Sequence, residues 1–364
     1  MPGQDFIEVP EKPSVSVAVA PAQLAVSSLL LLTGAGDHPG LGEWVTRTAA
    51  SMTPAERERN RLVTFGLHFS IVPEEDWPSF PAYIDHLAAM DPVALRDKML
   101  ASYLGLEPLA DYTGFVPGPD DVPWILESAE NYLEMLRGRF HADVIDEQLE
   151  SEAYSYAIDP PRMQKLIVTH LRDMWDHYLE AEWRRVEPML RDSERAFGQI
   201  DLSSMNRKEA AQLILDKELD EKSEKMLECA ERITFVPSAH IGPYQGKLCH
   251  RDRLWVIFGA RLPEGAQFEA PDLSRTEIVV RLSALADDTR LSILKLVSAQ
   301  GEKRSQDIMD HLGLSQSAAS RHLKQLSATG YLNERRCEGA KCYTLNPERI
   351  KRTLGAVHAF LLEK

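Results

Sequence analysis

Cysteine is scarce in this 364-residue chain: Cys229, Cys249, Cys337 and Cys342 are too few and too unevenly spaced for a disulfide framework. The expectation is therefore a reducing, cytoplasmic setting. Long apolar runs are lacking too. The longest, Leu24 to Leu32, is interrupted by Ser27 and Ser28 and falls far short of the roughly 20 residues that span a bilayer. Nor does the start read as a signal peptide, since Met1 to Ala20 carries acids ahead of any apolar region and a single lysine, Lys12. The expectation is a protein neither exported nor membrane-spanning. There is no internal repeat and no low-complexity tract, and 44% hydrophobic with 27% charged residues excludes collagen-like and wholly disordered chains. The length implies two or three domains with real cores.

Positive charge is also short. Against 56 acidic side chains stand 41 basic ones, a net charge of -15, which argues against a chain that coats nucleic acid or anionic membrane non-specifically. The deficit is uneven, however. Residues 276–364 hold 14 basic and 10 acidic side chains, a net of +4, whereas residues 1–275 hold 27 and 46, a net of -19. Between the two lies Leu262 to Arg275, rich in turn formers and without periodicity. The expected organisation is a domain at 1–262, a linker at 263–275 and a basic module at 276–364.

The first domain opens on Val15, Val17 and Val19, an alternation suited to a strand with one buried face. Beyond this strand the chain reads as mostly helical. Thr53 and Asp91, each before a proline, give good start signals, and Asp159 does the same for a pattern running to about Phe197. Pro188 is expected to kink or end that helix. A second charged helix is expected from Arg207 to Glu231. Ile233 to Pro237 and Leu254 to Gly259 are β-rich, separated by Ser238 to Arg253, and read as a hairpin or small sheet. The fold class is therefore mainly α with small β elements, α+β.

The basic module carries the strongest signal. Helical patterns cover Thr276 to Ala286 and Thr289 to Ala299, then Ser305 to His311 with Ser305 as the expected N-cap and Ile308 and Leu312 inward. After Gly313, Leu314 and Ser315 a new helix begins at Gln316. Two short helices joined by a glycine-containing turn form a helix-turn-helix. On the second, Ala319, Leu323 and Leu326 lie on one side and Ser317, Ser320, Arg321 and Lys324 on another. That second face holds donors and positive charge without a carboxylate, as a helix entering the major groove requires. Tyr331 to Leu345 then reads as a hairpin turning at Glu338, Gly339 and Ala340, with Arg335, Arg336 and Lys341 suited to phosphates or the minor groove. Ile350, Leu354, Val357 and Leu361 form a stripe on the last helix, and Ile278, Leu282 and Leu285 offer a second apolar surface. Together these two helices suit a dimer interface.

Three separated segments, Leu285 to Leu294 (LADDTRLSIL), Leu314 to Lys324 (LSQSAASRHLK) and Glu338 to Tyr343 (EGAKCY), make this module resemble the winged helix-turn-helix of the ArsR family of bacterial repressors. The resemblance covers about the last 85 residues and nothing before them. It implies a homodimer built from the first and last helices of the module, operator DNA read by the helix starting at Gln316, and repression modified by a signal. In that frame Gln316, Ser317, Ser320 and Arg321 contact base edges or nearby phosphates, and His322, Lys324, Arg335, Arg336 and Lys341 contact mainly backbone. The sequence departs from the family's metal sensors. Arg304 to Asp310 lacks the closely spaced cysteine pair of thiolate sites, and the final helix offers only His358, without the acid and second histidine of the zinc-sensing site. Cys337 and Cys342, across the wing, could pair or share a metal, although a four-ligand site would still lack two ligands; the plainer reading is two small β-compatible residues.

Elsewhere, His170, Asp173 and His177 with Glu180 have ligand-like helical spacing, against the plainer reading of an ordinary helix surface. Trp175, Tyr178 and Trp183 read first as core, yet with Phe235, Trp255 and Phe258 they mark where an apolar effector pocket would be sought, with Trp175, Tyr178 and Trp255 as its candidate lining. Pro237 to Pro243 contains a serine and a histidine without the spacing of a nucleophile elbow and reads as a structural turn. No metal or cofactor is expected. The reading is a cytoplasmic, dimeric bacterial transcription regulator, a repressor by resemblance, with a sensor or scaffold domain of unknown effector ahead of its DNA-binding module. The rivals are an enzyme in residues 1–262 with a regulatory winged helix, and a dimeric scaffold that binds another protein.

Overall fold

The structure is a computed structural model and describes residues 14–36, 38, 40–217, 219–263, 275–337 and 340–362. Residues 264–274 of the expected linker, and Glu338 and Gly339 at the turn of the wing, lie outside the described residues. In chain order the elements are β1 (Ser14–Val17), α1 (Pro21–Thr33), α2 (Glu43–Ser51), α3 (Pro54–Arg61), α4 (His68–Ile71), α5 (Phe80–Ala89), α6 (Pro92–Leu104), α7 (Val122–Ile125), α8 (Ala129–Arg137), α9 (Glu147–Ala157), α10 (Pro160–Met174), α11 (Glu180–Gly198), α12 (Arg207–Leu215), α13 (Glu221–Cys229), β2 (Arg232–Ser238), β3 (Gln245–His250) and β4 (Arg253–Gly259). The basic module adds α14 (Arg275–Leu285), α15 (Asp288–Gln300), β5 (Lys303–Arg304), α16 (Ser305–Leu312), α17 (Gln316–Ala328), β6 (Leu332–Cys337), β7 (Ala340–Leu345) and α18 (Pro347–Leu362). The protein is mainly α with small sheets, α+β. Among the described residues no helix is long and apolar enough to cross a membrane.

Two compact units share the chain, one of residues 20–36 and 43–186, the other of residues 1–19, 37–42 and 187–364. The first is all helical. Its α1 is the long apolar run of the sequence, buried on almost every side, including Leu24, Val26, Leu29 and the polar Ser27 and Ser28; a helix apolar all round belongs in a core. Capping works as the sequence suggests. The Thr53 hydroxyl accepts the Glu56 N–H at 3.2 Å while the Glu56 carboxylate accepts the Thr53 N–H at 2.8 Å, and Asp91 and Asp159 cap α6 and α10.

The helix expected from Asp159 to Phe197 does not end at Pro188. Its backbone widens to a π turn at Trp175–Leu179 and resumes as α11, which carries Pro188 inside it. Pro188 is exposed, so the donor missing from its ring nitrogen costs one ladder bond on the solvent side and leaves the core packing intact. The helix expected from Arg207 to Glu231 is likewise two, broken at Asp216, whose φ of 49° is left-handed and stops α12.

In the second unit β1, β2, β4 and β3 form one sheet in that order. The segments expected as a hairpin or small sheet, β2 and β4, are neighbours in this sheet and pair in parallel, Ile233 with Leu254 and Phe235 with Val256. The hairpin is β3–β4, closed by Arg251 and Asp252. Phe197, Ala210, Ile214, Leu227, Phe235, Val256 and Phe258 pack beneath this sheet, with Val15 and Val17 at the flank. The same unit contains the winged-helix module, whose core gathers Ile293, Leu294, Val297, Ile308, Leu323, Leu326, Tyr331 and Tyr343.

Candidate nucleic-acid interface

The Asp307 carboxylate accepts the Arg304 N–H at 3.0 Å, so α16 is capped one residue earlier than Ser305. It ends at Gly313, where φ of 64° demands a residue without Cβ strain, and the Leu314 N–H closes back on the Met309 carbonyl at 3.0 Å. Three residues after the end of α16 the Ser315 hydroxyl accepts the Ala318 N–H at 3.3 Å and starts α17. Burial of Ala319, Leu323 and Leu326 then fixes which way α17 faces. Gln316, Ser317, Ser320, Arg321 and Lys324 are all exposed, and the first turn of α17 contains no acid.

His322 differs from its neighbours. It is half-buried with Nδ1 3.7 Å from an Asp287 carboxylate oxygen. Desolvation lowers its pKa below the ordinary value despite Asp287, which favours the neutral, hydrogen-bonding ring. Lys324 Nζ lies 2.6 Å from His38 Nε2 and 5.7 Å from the centre of the Tyr244 ring, which anchors the far end of the polar face.

In the wing, Arg335 lies opposite Cys342 and Arg336 opposite Lys341. Arg335 donates twice to the Glu302 carboxylate, at 2.5 Å each, and Lys341 Nζ sits 2.7 Å from Glu334. Hydrogen bonding from Arg335 holds Glu302 below the usual carboxylate range. A cleft of about 860 Å³ opens beside the hairpin, lined by Arg335, Arg336 and Lys341 on one side and by Lys225, Arg251 and Arg253 on the other. Sequence reading did not select the last three. No local pattern marks them; Arg251 lies in the two-residue turn between β3 and β4, with φ of 50°. Cys337 and Cys342 are joined as a disulfide, in place of the plainer reading as two unlinked small residues.

Of the expected dimer residues, Ile278 is buried and Leu285 and Ile350 pack against the module core. Leu282, Leu354 and Leu361 are exposed, Val357 is half-buried, and Val279, Phe360 and Leu362 add apolar surface to the same two helices. Helices α14 and α18 touch each other, so this surface is shared between them.

The ligand candidates fall in different units. Trp175 and Tyr178 sit in the π turn of the helical unit, where the Tyr178 hydroxyl donates to Glu56 Oε1 at 3.0 Å. Trp255 is fully buried within β4. The spacing of His170, Asp173 and His177 does not produce a ligand set. His170 is buried with Nε2 3.0 Å from Asn60 Oδ1, Asp173 lies 3.7 Å from Arg59, and His177 is exposed in the π turn. Burial first, and then Arg59, lower the His170 pKa to about 4. Among the described residues one group of three brings atoms of metal-ligating type within 4.8 Å of one another, Glu302 with Cys337 and Cys342. At Pro237 to Pro243 the His240 N–H donates to the Ser238 hydroxyl at 3.2 Å and Gly242 is left-handed, which is a turn.

The sequence profile described as "Bacterial regulatory protein, arsR family" matches residues 287–334. A probable mercury resistance operon repressor of Streptomyces lividans is 40% identical over 68 residues, which are 18% of this chain and 53% of that protein. An arsenic resistance transcriptional regulator of Pseudomonas putida is 42% identical over 64 residues, 18% of this chain and 50% of its own. The chain thus spans about half the length of the curated relatives it matches. A crystal structure of a possible transcriptional regulatory protein (fragment 1–100) from Mycobacterium bovis is 31% identical, covering 23% of this chain and 92% of that fragment at a TM-score of 0.20.

Proposed function

We propose, from the premise that residues 287–334 are an ArsR-family regulatory domain, that this chain is a homodimeric, sequence-specific DNA-binding regulator that represses transcription in the bacterial cytoplasm. The observation that carries the reading is the outer face of α17. Gln316, Ser317, Ser320 and Arg321 are exposed together on a helix held by a buried Ala319, Leu323 and Leu326, and such a face fits the width and donor-acceptor pattern of a major groove. Arg335, Arg336 and Lys341 on the wing supply backbone contacts that fix register. The printed names of the two curated relatives, a repressor and a regulator of resistance operons, support repression as the direction of control. The helical unit is proposed as the sensor or scaffold, with Trp175 and Tyr178 as the first place to seek an effector.

The test is a competition gel shift with the full-length protein on DNA from upstream of its own coding sequence. Retention of the complex against about a hundredfold excess of unrelated duplex supports specific recognition. Equal displacement by both duplexes would leave a dimeric scaffold as the better reading.

A further inference from the structure

We propose that Cys337 and Cys342 form a reversible thiol–disulfide site in the wing, closed by a peroxide-class oxidant and opened by a thiol reductant, and that closure tightens the wing's hold on DNA. The chemical half stands on geometry alone; the DNA half rests on the proposed function.

Register brings the two sulfurs together. Cys337 pairs with Ala340 and Arg335 with Cys342, so Cys337 and Cys342 are diagonal neighbours on one face of the hairpin. Their Cα atoms are 6.1 Å apart, within the span of about 4.4–6.8 Å that a disulfide bridges. Arg335 lies across from Cys342 on one side and Arg304 on the other, the Arg336–Lys341 pair falls on the opposite face of the hairpin, and Glu302, bonded to Arg335, lies within 4.8 Å of both sulfurs. The charges around the pair are therefore mixed, and the proximity of the two sulfurs is what carries the chemistry. Exposure divides the roles: Cys342 is buried, and Cys337 is half-exposed and meets the oxidant first. The other two cysteines, Cys229 and Cys249, are free thiols.

With hydrogen peroxide the electrons balance. The Cys337 thiolate attacks one peroxide oxygen, the O–O bond breaks, and the products are a sulfenic acid and water. The Cys342 thiolate then attacks the Cys337 sulfur, forming the S–S bond and expelling hydroxide, which leaves as a second water carrying the remaining thiol proton. Two thiols are oxidised and one peroxide is reduced. A closed bridge fixes the strands that carry Arg335, Arg336 and Lys341, and so lowers the ordering cost of placing them on a phosphate backbone.

The experiment uses the full chain in a Cys229→Ser/Cys249→Ser background, reduced and then titrated with hydrogen peroxide at fixed salt. Free thiols are counted by mass tagging, and DNA affinity is read by fluorescence anisotropy. The expected result is joint loss of both thiols at one peroxide per chain, with affinity rising roughly threefold to tenfold, reversal by dithiothreitol, and no affinity change in Cys342→Ser. Independent over-oxidation of the two thiols would overturn the site. A disulfide that forms without altering affinity would overturn the coupling. Absence of DNA binding in both states would overturn the proposed function as well as the coupling, while the thiol count still decides the site. Zinc chloride protecting both thiols stoichiometrically, with the protection lost in Glu302→Gln, would reassign the three residues to a metal centre and overturn the redox assignment.

Discussion

On the proposed function, sequence readout falls most heavily on Arg321. It is exposed on the polar face of α17, and its fork can meet a guanine edge with two parallel hydrogen bonds. Arg321→Ala is expected to weaken operator binding by roughly 1–3 kcal/mol while leaving the affinity for unrelated duplex nearly unchanged; equal losses on both duplexes at matched salt would make it a backbone contact. A second residue-scale prediction concerns Glu150 in the helical unit. Burial, with a smaller contribution from Asp146, raises its pKa to about 8, and its Oε2 has no hydrogen-bond partner among the described residues. The folded value lies above the unfolded one of about 4.3. The neutral carboxyl therefore supports the fold fully at pH 4 and below, and that support is lost as pH rises towards 8. Glu150→Gln is expected to remove this loss and to be the more stable protein at pH 8.5, by on the order of 1–3 kcal/mol, in urea unfolding followed across the range. Parallel pH profiles for the two proteins would rule out Glu150 as the cause.

At the scale of elements, one carboxylate ties the end of α12 to the two helices that frame the winged module. Asp216 accepts from Arg281 on α14 at 3.1 Å and from Arg352 on α18 at 3.3 Å, is also paired with Arg349, and lies 3.8 Å from Arg261. Desolvation pushes its pKa up, but Arg261 and Arg349 outweigh that and the net shift is downward. Its contribution is present above the unfolded value near 3.9 and is lost as pH falls below it. Asp216→Asn keeps a side chain that tolerates the left-handed backbone but removes the carboxylate shared by buried Arg281 and Arg349. The expected cost is about 3 kcal/mol in chemical denaturation, and a loss below about 1 kcal/mol would mean that other partners suffice. None of this was legible in the chain, because no glycine or proline marks the break between Leu215 and Asp220 and the four arginines are scattered over more than ninety residues of sequence. Local periodicity, by contrast, exposed α16, α17 and the caps at Thr53, Asp91 and Asp159, since each depends on residues within one or two turns. The parallel pairing of β2 with β4 was unreadable for the opposite reason: β3 intervenes in sequence yet takes the far side of β4, and alternation alone does not distinguish a direct parallel pair from a hairpin. The polar face of α17 could be read off its own spacing, whereas Lys225, Arg251 and Arg253 reach the wing only through the tertiary fold.

At the scale of the molecule, the acid is concentrated more narrowly than a cut before the winged helix suggests. The helical unit holds 13 basic and 26 acidic side chains, a net of -13, and the unit containing the sheet and winged module holds 28 and 30, a net of -2. The near-neutral unit can thus approach a polyanion with its cations gathered on α17, the wing and the β3–β4 turn. On the proposed function one module would read only a half-site, and tight binding would then need a second copy held at fixed spacing. The surface available for that is the apolar one on α14 and α18, where Leu354 is 55% and Leu361 68% exposed. Side chains of that size left in water on two touching helices are what an interface buries. The double variant Leu354→Asp/Leu361→Asp is therefore expected to sediment as a monomer and to lose at least about tenfold in operator affinity. Because both leucines already face solvent, the melting temperature measured at a protein concentration where the parent is monomeric should be unchanged within a few degrees. That comparison separates a lost interface from a lost fold: a dimer that persists moves the interface to another surface, and a monomer that still binds operator at parental affinity removes the need for a second copy.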